Sequence, residues 1–353
     1  MYEPNYTITD NILNNIVKLE IDKQAVENTV FSTRTRNRLS QRAKTLDLFH
    51  FAHILNVNLT LRDAEKVSEG KRVVTEDIRG TVLNNYRNVL EFTRSNISDT
   101  YVDIDLNIIL HLNKILLTDW RESWEAKFRT GGEGVDLTLE NWATLRDESI
   151  EPMKVQQQIA LLIDWYKNSM SKVHDLLRVG VFIEKFIEIC PLLFANKLTA
   201  IAIADYLLYK NGYVAKSYLP TSRNFDVYED EYLDAWNQIK NNTGKTEGKN
   251  ITIWLERLTK NLASDMRETK EEMRKSVRDE EKGSKQPFLD LNKRQLKILR
   301  YLQTIPTVKR EDYVHMMDVS TMTAYRDLTE LVEKKLLKIE GQGRGTKYML
   351  YHR

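Results

Sequence analysis

Proline and glycine are so scarce here that little interrupts a long helix: 353 residues carry only 6 Pro and 13 Gly. Proline breaks helices because it lacks an amide hydrogen and clashes with the preceding turn, glycine because its backbone is so free. A mainly α chain is the expectation. Apolar residues over 8–29 recur with helical period, with Ile8, Ile12, Leu13, Ile16 and Leu19 spaced for one face. The same period predicts a helix over 74–95 through Val82, Leu83, Tyr86, Val89, Leu90 and Phe92, with Thr75 placed to cap it. Segments 105–117, 153–170 and 174–189 also read as helices, the last opening at His174 as a surface or capping residue. The stretch 198–209 is apolar on nearly every side, the pattern of a helix at the centre of a domain. "KFRTGGEGVDLT" at 127–138 sets three glycines between β-branched flanks and reads as a small hairpin or mobile loop.

The composition excludes several classes. Apolar residues at 41% supply real cores, and the length suits two or three domains. Lys and Arg number 53 against 51 Asp and Glu, so net charge alone gives no nucleic-acid signature. The single cysteine, Cys190, forms no internal disulfide, which fits a reducing cytoplasm. The N-terminus lacks the basic segment and apolar core of a signal peptide, and no run nears the ~18 apolar residues of a membrane span. The histidines are scattered, with no Cys/His cluster at zinc-ligand spacing, so no metal site is expected.

Residues 265–285 mix charges of both signs and read as a solvated helix ending near Gly283, followed by the linker "GSKQP". Beyond it, a first helix carries Leu291, Leu296, Ile298, Leu299 and Leu302, and a second, short one begins near Lys309. Asp318, Val319 and Ser320 form a tight turn, and Ser320 caps a third helix with Ala324, Leu328, Leu331 and Val332 inward. Two strands, "LLKIE" and "TKYMLY", are joined by the glycine-rich "GQGRG". This is the order of a winged helix-turn-helix, which presents the start of its third helix to base edges in the major groove. Ser320, Thr321, Thr323, Tyr325 and Arg326 hold those positions. Lys293, Arg294, Lys309 and Arg310 stand at helix starts where phosphates are met, and Arg344 and Lys347 stand on the wing. From 289 onward, thirteen Lys and Arg face eight Asp and Glu; the rest of the chain has forty against forty-three. Positive charge thus gathers in the smallest module, as contact with double-stranded DNA requires.

A second resemblance centres on "FIEICPLLFANKLTAI", followed by an apolar helix ending in Gly212 and Tyr213. It resembles the Fic family signature H-P-F-x-[D/E]-G-N-G-R-x-x-R, which follows an "F-x-x-I" helix end matched here by Phe186 and Ile189. Pro191 and Asn196 match the signature. Cys190 stands at the histidine, Leu192 at the phenylalanine, Phe194 at the acid, Ala195 and Lys197 at the two glycines, and Leu198 and Ile201 at the two arginines. The flanks are similar as well: "VSEGKRVVTEDI", "ILHLNKILL" before a flap at 127–138, "SRNFDVYEDEYLDAW" and "ITIWLERL" resemble family segments in order. The resemblance implies a Fic-like helical domain with a short flap hairpin, followed by the winged helix-turn-helix. Its expected division is an N-terminal helical region at 1–95, a core at 96–264, a charged helix and linker at 265–288, and the DNA-binding module at 289–353.

In active relatives the resemblance implies transfer of AMP from ATP to a protein hydroxyl. The histidine acts as base, the acid holds Mg²⁺, and the arginines neutralise developing charge. Cys190 is a poor base, Phe194 offers no oxygen to a hard cation, and Leu198 and Ile201 carry no charge. Cys190 reads as a buried structural thiol, since no His or Asp stands at a partner's spacing. Glu69 and Gly70 resemble the remnant of an inhibitory motif whose arginine partner is here Ile201. The resulting expectation is a DNA-binding, transcription-regulatory homodimer whose Fic-like domain is a catalytically silent scaffold for dimerisation or sensing, with no cofactor. The alternative is a divergent enzyme that uses ATP and Mg²⁺ on a protein partner docked at the flap, with Cys190, Asn196 and Lys197 at the degenerate positions.

Overall fold

A computed structural model of the chain describes residues 2–95, 103–130, 139, 146–148, 150–213, 218–241, 249–283, 291–341 and 346–351. The chain divides into two compact units, one of residues 1–23 with 40–269 and the other of 24–39 with 270–353. Among the described residues no helix is long and apolar enough to cross a membrane.

The elements begin with α1 (Asp10–Asn28), α2 (Thr33–Ile54), α3 (Leu61–Ser68), α4 (Arg79–Ser95) and α5 (Leu106–Leu117). Next come α6 (Val155–Asn168), α7 (Asp175–Ile189), α8 (Asn196–Lys210), α9 (Thr221–Val227), α10 (Glu229–Asn241) and α11 (Thr252–Gly283). The first unit is built around α8, which packs against α4, α5, α7 and α9. Leu198, Ile201, Ile203, Leu207 and the three alanines of α8 are all buried, so the all-apolar pattern does mark the central helix. Caps follow from single side chains: Asp105 Oδ1 accepts the Ile108 amide at 2.8 Å, and His174 Nδ1 accepts that of Leu176 at 3.3 Å. Thr75 Oγ1 accepts the Gly80 amide at 2.8 Å, so α4 starts later than its apolar period suggests.

On α1 the structure corrects the expected face. Ile12, Ile16, Leu19 and Val26 are buried, whereas Leu13 and Ile8 are 54% and 60% exposed. The helix starts at Asp10, which leaves Ile8 outside it, and Leu13 turns away from the buried stripe to lie in line with exposed Val17 and Ile21. The expected flap is described only to Thr130; residues 131–138 lie outside the described residues.

In the second unit, α12 (Lys293–Thr304), β1 (Val308–Lys309), α13 (Arg310–Met317) and α14 (Thr321–Glu333) precede β2 (Leu337–Glu340) and β3 (Lys347–Leu350). The three strands form an antiparallel sheet in the order β1-β3-β2, with Val308 opposite Tyr348 and Leu337 opposite Leu350. Ile298, Leu299, Leu302, Val308, Tyr313, Ala324, Leu328, Leu331, Leu337 and Tyr348 make one core, against which Val30 also packs. Asp318 adopts the left-handed conformation, φ +49°, which turns the chain sharply between α13 and α14.

Candidate functional site

The loop joining α7 to α8 holds the degenerate signature. Cys190 ends α7 in the left-handed region, φ +46°, with its amide bonded to Phe186 O at 3.0 Å. Its side chain is buried. Arg129 grips the end of α7 from the flap segment: Nε donates to Cys190 O at 2.8 Å, Nη2 to Ile189 O at 3.0 Å, and its amide to Pro191 O at 2.9 Å. Burial lowers the pKa of this guanidinium, and nearby Cys190 partly offsets the effect. Phe128 pairs antiparallel with Leu192 alongside.

Asn196 closes the loop on itself, because Oδ1 accepts the Leu192 amide at 2.8 Å and Nδ2 donates to Leu192 O at 2.9 Å. Asn113 Nδ2 donates to Phe194 O and to Thr199 Oγ1, both at 3.0 Å. Phe194 lies under the Arg121 guanidinium, 4.3 Å from the ring centre. Lys197, 1% exposed at its side chain, donates from Nζ to Glu229 Oε1 at 2.7 Å and ties α8 to α10. The side-chain oxygens of Asn196 and Thr199 are thus engaged inside the fold, and the positions of base, acid and arginines carry buried Cys190, Phe194, Leu198 and Ile201.

Ala195 has φ +57°, a conformation in which a Cβ is strained. The signature that this loop resembles has glycine there, a residue that takes a positive φ without strain. Ala195→Gly should stabilise the chain by about 0.5–1 kcal/mol, the strain relieved less the entropy glycine adds to the unfolded state; urea unfolding measures it. Glu69 ends α3 on the surface, and Gly70 at φ +104° takes the left-handed turn out of that helix. Ile201 is fully buried in α8.

The second candidate surface is the start of α14. Ser320 Oγ accepts the Thr323 amide at 3.2 Å and meets Thr323 Oγ1 at 3.0 Å, so both hydroxyls serve the cap. Thr321, Met322, Tyr325 and Arg326 are exposed beside them. Arg310 lays its guanidinium 5.0 Å from the centre of the Tyr325 ring, which extends this face onto α13. Lys347 is exposed on β3; Arg344 lies outside the described residues. Met322, 75% exposed, escaped the sequence reading because a methionine there resembles a core residue. Arg294 is a correction: rather than standing free for phosphate, its Nε donates to Asp327 Oδ2 at 2.8 Å. Asn292 Nδ2 and the Tyr313 hydroxyl also donate to Asp327, each at 3.0 Å. Burial pushes the Asp327 carboxyl up, but the bonds from Arg294, Tyr313 and Asn292 outweigh it and hold the pKa below its ordinary value.

Comparison with known proteins agrees with both regions. Residues 294–342 match the DeoR-like helix-turn-helix domain. A solved Fic family protein from Desulfovibrio desulfuricans G20 is similar over 100% of this chain and 99% of its own, at TM-score 0.57 and 18% identity. A Fic domain containing signaling protein from Bacteroides thetaiotaomicron VPI-5482 covers 76% of this chain and 98% of its own, at TM-score 0.57 and 16% identity. Fic-1 from C. elegans covers 75% and 72% respectively, at TM-score 0.57 and 14% identity. None of the curated proteins matches the chain. The chain therefore has the Fic fold and carries a DeoR-like helix-turn-helix domain at its C-terminus.

Proposed function

We propose that the chain is a DNA-binding transcription regulator whose Fic-fold domain is a catalytically silent scaffold that pairs two copies. The carrying observation is the exposed face of Thr321, Met322, Tyr325 and Arg326 at the start of α14, on the module where positive charge is concentrated. Arg326 suits a guanine edge or a phosphate, Met322 an apolar contact with a thymine methyl, and Arg310 on Tyr325 a phosphate at the rim. Selection from random duplex DNA tests the reading. An enriched sequence whose affinity drops about 1–3 kcal/mol in Arg326→Ala, with relaxed preference at one position, supports it. No enriched sequence and no salt-dependent affinity at low ionic strength would reduce the module to a protein-contact domain.

The scaffold half of the proposal rests on the loop after α7. A thiol, a phenyl ring and two aliphatic side chains replace the base, the metal ligand and the two arginines, and the remaining polar groups of the loop bond within the fold. Labelled ATP with Mg²⁺ or Mn²⁺ should give no transfer to the chain or to lysate proteins. Strong labelling that disappears in Cys190→Ala would turn the reading to an enzyme.

Pairing of copies is supported by Leu13, Val17 and Ile21, an apolar stripe left exposed along α1. Two modules held together bind two half-sites with the advantage of effective concentration. Val17→Glu should therefore shift the chain towards monomer in sedimentation and weaken operator binding, with α14 untouched.

A further inference from the structure

Two histidines one turn apart on α2 share a carboxylate from α9. His50 and His53 stand three residues apart, which puts both imidazoles on one helical face. Each aims Nδ1 at the same atom: Asp226 Oδ2 lies 2.6 Å from His50 Nδ1 and 3.3 Å from His53 Nδ1. The three ligand atoms all fall within 4.8 Å of one another. Phe49 holds the rings in place, its centre 4.4 Å from that of His53 and 5.3 Å from that of His50. The site lies at the surface rather than in the core. The His50 and Asp226 side chains are 12% and 19% exposed, and that of His53 is 45% exposed, which leaves an open flank. It belongs neither to the loop after α7 nor to the helix-turn-helix.

We infer that His50, His53 and Asp226 bind a divalent transition-metal ion of the zinc class. A hydrogen bond between one imidazole and one carboxylate needs a single histidine. Two imidazole nitrogens converging on one oxygen form the three-ligand set of nitrogen and oxygen that such ions take, with solvent completing the shell from the open flank. Tetrahedral bonds of ordinary length put neighbouring ligand atoms about 3.4 Å apart. The His53 to Asp226 separation already has that value, and the shorter one opens by a small rotation of His50. Binding through Nδ1 leaves the outer ring nitrogen to carry the proton. Among the described residues, Asp226 pairs with these two imidazoles and with no lysine or arginine, so no side-chain ammonium or guanidinium stands where the metal ion would sit. The ion would clasp α2 to α9 and so stabilise the first unit, because a ligand that binds only the folded state adds to its stability.

The test uses the tag-free full chain, treated with chelator and then titrated with Co²⁺ or Zn²⁺. The expected results are a visible d–d absorption on adding Co²⁺, its displacement by Zn²⁺, and a rise in thermal midpoint with Zn²⁺. Asp226→Asn keeps a side chain that can still bond to one imidazole but removes the anionic ligand. It and His50→Ala should each weaken Zn²⁺ binding by at least roughly 10-fold, as losing even an outer partner of a metal site does. His315→Ala, on α13, should change nothing. Absence of Co²⁺ absorption in the full chain, or Zn²⁺ affinity left intact by Asp226→Asn, would overturn the inference and leave a hydrogen-bonded His–Asp cluster.

Discussion

Replacing Arg94 by leucine should destabilise the chain by about 3–5 kcal/mol at pH 8, and by clearly less at pH 5. Arg94 on α4 reaches into the core, where Nη2 donates to Asp47 Oδ2 at 2.9 Å. Asp47 is fully buried, as is Asp205 on the central helix, and both carboxyls feel the charge of this one guanidinium, Asp47 through the hydrogen bond and Asp205 through electrostatic attraction. The Ser222 amide and hydroxyl both donate to Asp47 Oδ1, at 2.9 Å each. Burial pushes Asp47 up to about 7, against the pull of Arg94 and Ser222. It pushes Asp205 up as well, with Arg94 again the largest opposing influence. A carboxyl whose folded pKa is raised contributes stability that is complete below its ordinary value of 3.8 and is lost as pH rises through about 7. Wild type should thus lose part of its stability between acid and neutral pH through this cluster. Without Arg94 both acids must take protons or stay charged in the core. At pH 5 protons neutralise them and leucine is tolerated; at pH 8 the cost is full. Urea unfolding of wild type and Arg94→Leu at the two pH values measures it, and a loss independent of pH would refute the account.

The same cluster marks where the sequence stops being readable. Helices α1, α4, α5, α6, α7 and α8 follow from apolar period, and the caps at His174 and Ser320 from residue type. Helix α2 does not, because its first half is rich in arginine and its apolar residues gather in the second half, from Leu48 to Ile54. Asp47 and Asp205 look in the sequence like two of many surface acids; only their approach across the core gives them a shared charge. The histidines look scattered in the sequence, and His50 and His53 give no metal-site expectation, because Asp226 lies far along the chain and no spacing rule reaches it. At the degenerate loop the residue substitutions were plain from the sequence, whereas the left-handed backbone at Ala195 and the grip of Arg129 on the end of α7 were not. Arg294 shows the same limit. A basic residue at a helix start suits phosphate equally well until the fold brings Asp327 beneath it.

That contact gives the second large effect. Asp327→Ala should cost the helix-turn-helix about 3 kcal/mol and abolish DNA binding through loss of the fold rather than of a base contact. Asp327 is 2% exposed on α14 and receives Arg294 and Asn292 from the start of α12 and Tyr313 from α13. One carboxylate thus joins all three helices of the module. Arg294 is part-exposed, so on truncation it regains water, and little of the cost comes from it. The Tyr313 side chain is fully buried, so its hydroxyl loses its acceptor without reaching solvent, a penalty of about 1–3 kcal/mol. Asn292 loses a bond at the capping box that starts α12. Asp327→Asn keeps the shape and separates the charge from the packing. The carboxyl is held below its ordinary pKa of 3.8, so its contribution is present above that value and is lost as pH falls through the lower, folded one. The stability gap between wild type and Asp327→Asn should accordingly be constant from neutral pH down to about 5 and close in stronger acid. Calorimetry that resolves the second unit's transition measures the gap. In parallel, Asp327→Ala should lose affinity for every DNA sequence alike, where Arg326→Ala loses preference at one position. A gap that persists unchanged into strong acid, or an Asp327→Ala chain that still selects the wild-type sequence, would mean that the three helices hold together by their apolar core alone.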